Sequence, residues 1–182
     1  MPFTLNSIRL GGKDVLPLVE GGKGISVSTG VSSGPWAAAG GIATVSAVNA
    51  DSYDPPGNAV PQVFSGRTRR DRHAELIEYG INGATDQIRT AHDLSGGEGL
   101  LNINVLWEMG GAQPILEAVL DQTRGMVTGV TCGAGMPYKL SEIAERYNVH
   151  YLPIVSSGRA FRALWKRAYH KVPQLLGAVV DE

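Results

Sequence analysis

Short apolar runs alternate along the chain with longer stretches in which apolar residues recur every three or four positions. Short runs bounded by glycine are typical of buried strands, and the wider spacing is typical of one buried helix face. The pattern predicts six strands, at 15–19, 42–48, 100–107, 126–130, 151–155 and 175–180. Between them it predicts five helices, at 34–40, from 68 to the glycines at 95–99, around 115–120, around 140–147 and around 160–168.

Strands and helices therefore alternate, which predicts parallel strands joined by crossover helices. Two architectures fit this order: an open doubly wound sheet, and a (β/α)8 barrel that is cut short. The periodicity does not separate them. Residues 49–66 form an irregular excursion rich in turn residues, and the whole region 49–99 is larger than a minimal strand–helix unit. Such a region is either a lid or a plain insertion.

Composition narrows the class of protein. With 182 residues, 43% hydrophobic and 18% charged, residues 1–182 are expected to form a single soluble domain. A formal net charge of −1 argues against nucleic-acid binding. The single cysteine excludes an internal disulfide and favours a reducing compartment. We find no secretory leader and no apolar run near the roughly 20 residues that span a bilayer, so we expect a cytoplasmic protein without a membrane partner.

Ligands of parallel α/β folds bind where strands end, so the residues that follow each strand are the informative ones. These residues are mainly Gly, Ser, Thr and Asn, with neither carboxylate pairs nor a histidine cluster that would hold a metal. They suit a flat polar ligand that brings its own reactivity. The same residue types also occur in ordinary turns. The segments are 20–24, 49–51, Asn102 with Asn104, 131–135 and 156–158.

Six segments, in order and evenly spaced, resemble nitronate monooxygenases and the related FMN-dependent enoyl-ACP reductases. Each segment is weakly specific alone, and together they cover most of the chain. They are PLVEGGKGIS at 17–26, WAAAGGIATV at 36–45, the Asn104 position, GAGMP at 133–137, LPIVSS at 152–157 and GAVV at 177–180.

The resemblance implies a TIM-type (β/α)8 barrel truncated after strand six, with FMN at its mouth. Carried over by motif, the first-strand loop lines the isoalloxazine ring and the third strand bonds its polar edge. The fourth strand lines the pocket wall, and the fifth strand approaches the cofactor. The implied cofactor-binding residues are Gly22, Lys23, Gly24, Asn104, Thr131, Cys132, Ser156 and Ser157.

Two of these positions have a second interpretation. Lys23 stands where methionine is common in the family, and a cation there would stabilise a reduced, anionic flavin. An outward, solvated lysine is the plainer interpretation. Cys132 has no identifiable His or Asp partner for nucleophilic chemistry, so a small buried thiol is the expected alternative.

The resemblance implies oxidation of alkyl nitronates with dioxygen. A reductase that takes electrons from NAD(P)H and reduces an enoyl thioester is the alternative within the class. The family's catalytic histidine follows the sixth strand, and the phosphate site is on strands seven and eight; both are expected beyond Glu182, so no catalytic residue is assigned. A non-catalytic chain is a further alternative, because open sheet edges favour a homo-oligomer or a complementing chain.

Overall fold

A five-stranded parallel sheet organises the chain, and the computed structural model describes residues 5–97 and 99–181, without the side chains of Val180 and Asp181. The strands are β1 Ile8–Leu10, β2 Lys13–Val15, β3 Ile42–Ser46, β4 Leu100–Leu106, β5 Gly129–Gly133, β6 His150–Val155 and β7 Val180–Asp181. The helices are α1 Gly30–Ala38, α2 Arg69–Leu94, α3 Ala112–Gln122, α4 Leu140–Tyr147 and α5 Gly158–Arg167, followed by 3₁₀ turns at Tyr169–Lys171 and Pro173–Leu175.

The sheet follows chain order, β3-β4-β5-β6-β7, and every pairing is parallel. The segment before α1 continues this order on the free edge of β3. Its Leu18 carbonyl accepts from the Ile42 amide, and its Glu20 amide donates to the Ile42 carbonyl, both at 2.8 Å. A doubly wound sheet reverses its strand order at a switch point. Within the described residues the order does not reverse, so the α/β class is confirmed and the doubly wound alternative is excluded, while barrel closure and truncation after strand six stay predictions.

The two faces of the sheet differ in chemistry. Alternate residues of β3 to β6 pack against the helices and form the main core, with the fully buried Val45, Ile103, Val130 and Tyr151 among them. On the opposite face, Val15, Ile42 and Leu100 form a smaller apolar cluster at the amino ends of β3 and β4, beside the β1–β2 hairpin. Toward the carboxyl ends of β3, β4 and β5 that face carries polar residues, whereas β6 contributes the apolar Leu152 and Ile154 to it.

Two terminal strand predictions need correction. The run at 15–19 forms a strand only at Val15, the last residue of β2, and makes a single bridge from Val19 to Ile42. The run at 175–180 begins as a 3₁₀ turn and has one bridge, Leu176 to Tyr151, before β7. Pro17 has no amide hydrogen for a ladder, and Pro173 suits the start of a 3₁₀ turn, which shortens both strands.

Helix α1 starts earlier than predicted. A capping box fixes its first turn: the Thr29 hydroxyl accepts from the Ser32 amide at 3.3 Å, and the Ser32 hydroxyl accepts from the Thr29 amide at 3.0 Å. Pro35 lies inside the helix and not in its first turn, where the predicted start at residue 34 would put it. The remaining helices lie where the spacing predicts them.

Helices α1 and α2 cross closely because α1 presents glycines to α2. A Cβ at Gly30 would lie 2.3 Å from the Gln87 carbonyl oxygen, and one at Gly34 would lie 2.5 Å from Leu94 Cβ. The Gly30 amide also donates to the Gln87 side chain at 2.6 Å. The crossing holds the loop before α1 against the end of the sheet.

Replacing Gly30 with Ala should therefore destabilise the protein by about 1–3 kcal/mol, the usual cost of overpacking a close contact. Gly158 is a matched control, because it is likewise the first residue of a helix and a Cβ there would meet nothing within 4 Å. Gly158→Ala should leave stability unchanged or slightly raised. Urea unfolding followed by circular dichroism measures both, and equal effects of the two substitutions would contradict the tight crossing.

Candidate functional site

Polar side chains form two rows across the sheet face that is turned away from the helices. The pairing register aligns Thr44 with Asn102, and Ser46 with Asn104 and then Thr131. All five residues are at most 8% exposed. Side chains alternate between the two faces of a strand, so these polar residues share one face while their apolar neighbours face the helices.

Four polar atoms in these rows are buried without a hydrogen-bond partner among the residues that the structure describes. They are Thr44 Oγ1, Asn102 Nδ2, Asn104 Oδ1 and Thr131 Oγ1. Buried polar atoms are nearly always paired, and each unpaired one costs about 1–3 kcal/mol. Together they offer two hydroxyls, one amide donor and one amide acceptor on a single face. Such a cluster indicates a surface built for a polar ligand.

A glycine-containing loop, residues 20–28, covers the rows. The side-chain amide of Asn104 donates from Nδ2 to the Gly22 carbonyl at 2.8 Å. A Cβ at Gly22 would lie 2.4 Å from Asn104 Cβ and 2.7 Å from Thr44 Cγ2, so only glycine fits against the polar rows. Glu20 accepts from the Thr44 amide at 3.1 Å and ties the start of the loop to β3.

The loop is held by its own hydrogen bonds and by strained backbone. The Ser28 hydroxyl donates to the Gly21 carbonyl at 3.0 Å and accepts from the Lys23 amide at 3.1 Å. Ile25 and Ser26 adopt left-handed conformations, with φ of 55° and 54°. Residues with a Cβ seldom adopt this conformation, and such strain concentrates at functional sites.

The end of β5 forms a second strained turn at the same edge. Ala134 has a φ of 53°, and Gly135, with a φ of 113°, lies where a Cβ would be 2.8 Å from Glu108 Cγ. The turn is bonded to the end of β4, since the Trp107 amide donates to the Gly133 carbonyl at 2.8 Å. The CGAG motif therefore continues β5 to Gly133 and then turns.

The structure brings some of the eight predicted residues together. Three of them lie along the polar rows: Gly22, Asn104 and Thr131. Gly24 belongs to the same loop as Gly22 and packs beside Val48, which follows β3. The side chain of Lys23 is exposed and makes no hydrogen bond or ion pair with any described residue.

The other three residues do not meet this group. Cys132 is fully buried in the main core, on the helix-facing side of the sheet, so its side chain does not reach the face that holds Thr131. Burial raises the pKa of its thiol to about 12. Ser156 is exposed, and the Ser157 hydroxyl caps α5 by accepting from the Ala160 amide at 3.2 Å. Strand β5 continues three residues beyond its predicted end, which puts Cys132 inside the strand.

Sequence reasoning missed Thr44 and Ser46, and placed no role on Asn102. The signal was present, because β3 reads Ile-Ala-Thr-Val-Ser, with polar residues at every second position after Ile42. The predictions considered mainly the residues at strand ends, and Thr44 and Ser46 lie inside β3.

A further cavity lies at the other end of the sheet. It measures about 820 Å3 and is bounded by the C-terminal ends of α3 and α4 and the start of β6. Its charged groups are already paired: Asp121 accepts from Arg124 at 2.8 Å and from the Tyr147 hydroxyl at 3.1 Å, bonds that lower the pKa of Asp121. Parallel sheets bind ligands at their carboxyl ends, so we place the candidate site at the polar rows.

Residues 5–97 and 99–181 lack two further features, a metal-binding group of side chains and a membrane-spanning helix. These residues contain no group of three or more His, Cys, Asp or Glu side chains that could hold a metal ion. None of the helices in the same ranges is long and apolar enough to cross a membrane.

Comparison with known proteins gives the fold a context. No protein-family model and no curated protein sequence matches the chain. FabK from Thermotoga maritima matches with a TM-score of 0.54 at 17% identity, over 91% of this chain and 40% of FabK. A point mutant of that FabK matches with 0.58 at 16% identity, over 91% and 41%. Nitroalkane oxidase from Streptomyces ansochromogenes matches with 0.59 at 16% identity, over 92% and 46%.

The chain therefore spans less than half the length of these solved structures and shares their fold over nearly all of its own length. The matches are an enoyl-ACP reductase and a protein of the nitronate monooxygenase group, the two kinds of protein that the sequence motifs resemble. The resemblance is thus confirmed at the level of fold.

The position of Cys132 makes a prediction about thiol chemistry. We expect the native thiol to resist a disulfide reagent such as DTNB, because the side chain is fully buried and its pKa of about 12 leaves almost no thiolate below pH 10. In urea the same thiol should react completely. The raised pKa favours the native state below pH 9, and this contribution is lost as the pH rises toward 12. Rapid labelling of the folded protein would contradict this prediction and would show that Cys132 is accessible at the wall of the pocket.

Proposed function

We propose that this chain forms the flavin-facing part of an FMN-dependent oxidoreductase of the nitronate monooxygenase type. The single observation that carries the proposal is the set of four unpaired polar atoms on one sheet face, two of them on Thr44 and Asn104, which lie against Gly22. The fold shared with FabK and nitroalkane oxidase supports it, as do the family-like motifs at the same strand ends.

The residues present fit the polar edge of a flavin. That edge alternates carbonyl oxygens with an N–H group. Asn102 Nδ2 is a free donor, Asn104 Oδ1 is a free acceptor, and the hydroxyl of Thr131 can do either. The backbone at Gly22 lies close to Asn104 and to Thr44, as a loop that lines a planar ring requires.

FMN, when bound, supplies the redox chemistry by taking electrons from the substrate. This chain's own residues bind and orient the ring and keep water from it. Asn102, Asn104 and Thr131 hold its polar edge, and residues 20–28 cover it. In this proposal the nitronate and dioxygen are the reactants, and no residue of the chain is assigned as a base.

A second candidate function is reduction of an enoyl thioester with NAD(P)H, favoured by the match to FabK. Flavin-loaded protein separates the two. Oxygen uptake that depends on an alkyl nitronate supports the monooxygenase, whereas NAD(P)H oxidation that depends on an enoyl thioester supports the reductase. If flavin binds and neither reaction occurs, the chain binds flavin but needs a partner for activity.

Thr131→Val tests the polar rows directly. Val has the shape of Thr without the unpaired hydroxyl, so the flavin-free protein should become more stable by up to about 1 kcal/mol. The same change should weaken FMN binding about tenfold, through loss of one hydrogen bond. Fluorescence titration with FMN measures binding, and urea unfolding measures stability.

Ser141 provides the matched control. Its hydroxyl is also buried and unpaired, but it lies on α4 and away from the polar rows. Ser141→Ala should change FMN affinity by less than about twofold, within the noise of independent sites. If the wild type shows no flavin fluorescence quenching and stays colourless with added FMN, the proposed function is wrong for this chain alone.

Lys23→Met tests the predicted role of the loop cation. If the ammonium group lies near the reduced ring, its removal should lower the flavin reduction potential, because a charge that stabilises the anionic form is lost. Potentiometric titration of the wild type and the variant measures the shift. An unchanged potential would assign Lys23 to solvent, as its exposed side chain indicates.

A further inference from the structure

One stretch of the chain carries cations and no acids. Residues 146–180 contain six of the 16 Lys and Arg residues and none of the 17 Asp and Glu residues. The rest of the chain therefore has ten cations against 17 acids. The formal net charge of −1 conceals a strong asymmetry. Charge asymmetry of this kind steers association with an oppositely charged partner.

Helix α5 gathers three of these cations on one face. Arg159, Arg162 and Lys166 are all exposed, and at 3.6 residues per turn they lie within an arc of about 60°. Arg167, about 80° further round the helix than Arg159, lies over the Tyr138 ring with 4.7 Å to its centroid. Among the described residues, Arg159, Arg162 and Lys166 have no hydrogen bond or ion pair. Their charges are therefore available to a partner.

A large aromatic side chain borders the same face. Trp165 is 38% exposed, and its ring lies 6.1 Å from that of Phe161. Leu164, on the inner side of α5, is fully buried in the main core. The apolar side of α5 is thus packed against the domain, and Trp165 is the apolar group that remains at the surface. We name Arg159, Arg162, Lys166 and Trp165 the α5 face.

Several cations elsewhere on the surface have acids beside them. Arg124 pairs with Asp121, and Arg146 pairs with Glu117. At the start of α2, Arg69, Arg70 and Arg72 are also exposed, but acids are interleaved with them at 71 and 75. An interleaved face of that kind is typical of simple solvation. The α5 face differs, because no acid occurs anywhere between 146 and 180.

We propose that the α5 face is a docking surface for an acidic protein. Guanidinium groups bind carboxylates with two parallel hydrogen bonds, and Trp and Arg are the side chains that most often dominate protein interfaces. An anionic membrane fits less well, since a membrane-binding helix inserts its apolar side, and that side of α5 is buried in the core. A two-fold contact between copies of α5 would bring like charges together.

The experiment uses the full chain and poly-L-glutamate as the acidic polypeptide. Binding is measured at several salt concentrations for the wild type, for Arg159→Gln/Arg162→Gln/Lys166→Gln, and for the matched control Arg69→Gln/Arg70→Gln/Arg72→Gln. Both variants lose three exposed cations. We expect the α5 variant to bind at least about tenfold more weakly and to show a shallower salt dependence, while the α2 variant stays within about twofold of the wild type. Thermal unfolding checks that both variants fold.

Fluorescence gives a second measurement. Binding of poly-L-glutamate should shift the tryptophan emission of the wild type, and Trp165→Phe should abolish the shift, because the other two tryptophans belong to α1 and to the turn after β4. Equal weakening by the α2 and α5 variants would overturn the proposal, as would failure of the wild type to bind. Binding to phosphatidylserine vesicles in place of poly-L-glutamate would also overturn it, in favour of a membrane.

Discussion

The contact between Gly22 and the polar rows is the constraint on which the rest of the site depends. The backbone of Gly22 lies so close to Asn104 and Thr44 that no side chain fits at this position. The loop that contains Gly22 is held at one end by β3 and at the other by α1. Helix α1 in turn keeps its place through the close crossing of Gly30 over α2. A chain of tight glycine contacts therefore links the helix layer to the polar face.

The sheet can be polar on one face because apolar residues on the other face supply its stability. Val45, Ile103 and Val130 are fully buried against the helices. Burial of such side chains contributes about 1.5–3 kcal/mol each, enough to offset several unpaired polar atoms opposite them. A parallel strand buried on both faces is normally apolar throughout. The departure from that pattern at Thr44, Asn102, Asn104 and Thr131 indicates that function has set the residue types there.

The sequence predicted the α/β class and the positions of α2 to α5, because periodicity is a local signal. The roles of Gly22, Asn104 and Thr131 came from the family resemblance and stay predictions. The sequence did not predict the β1–β2 hairpin, although Gly11-Gly12 adopts the positive φ values of a tight hairpin turn. It also put Cys132 beside Thr131 at the pocket. Adjacent residues of a strand point to opposite sides of the sheet. Because the predicted strand ended three residues too early, it did not show that Cys132 points to the helices and Thr131 to the polar rows. Strand order, which excluded the doubly wound sheet, is a non-local property that local patterns do not contain.

The covering loop and the proposed ligand compete for the same atoms. Two of the four unpaired atoms, on Thr44 and Asn104, belong to side chains that lie against Gly22, so a ligand reaches them only if the loop shifts. The hydrogen bond from Asn104 to Gly22 contributes a net stabilisation of about 0.5–1.5 kcal/mol. Each unpaired atom costs about 1–3 kcal/mol. A ligand that pairs two of the four atoms therefore gains more than the loss of that bond costs. The strained backbone at Ile25 and Ser26 further lowers the free-energy cost of moving the loop, because the movement can relieve the strain. The balance of these terms favours a loop that covers the polar rows when they are empty and yields to a ligand that satisfies them.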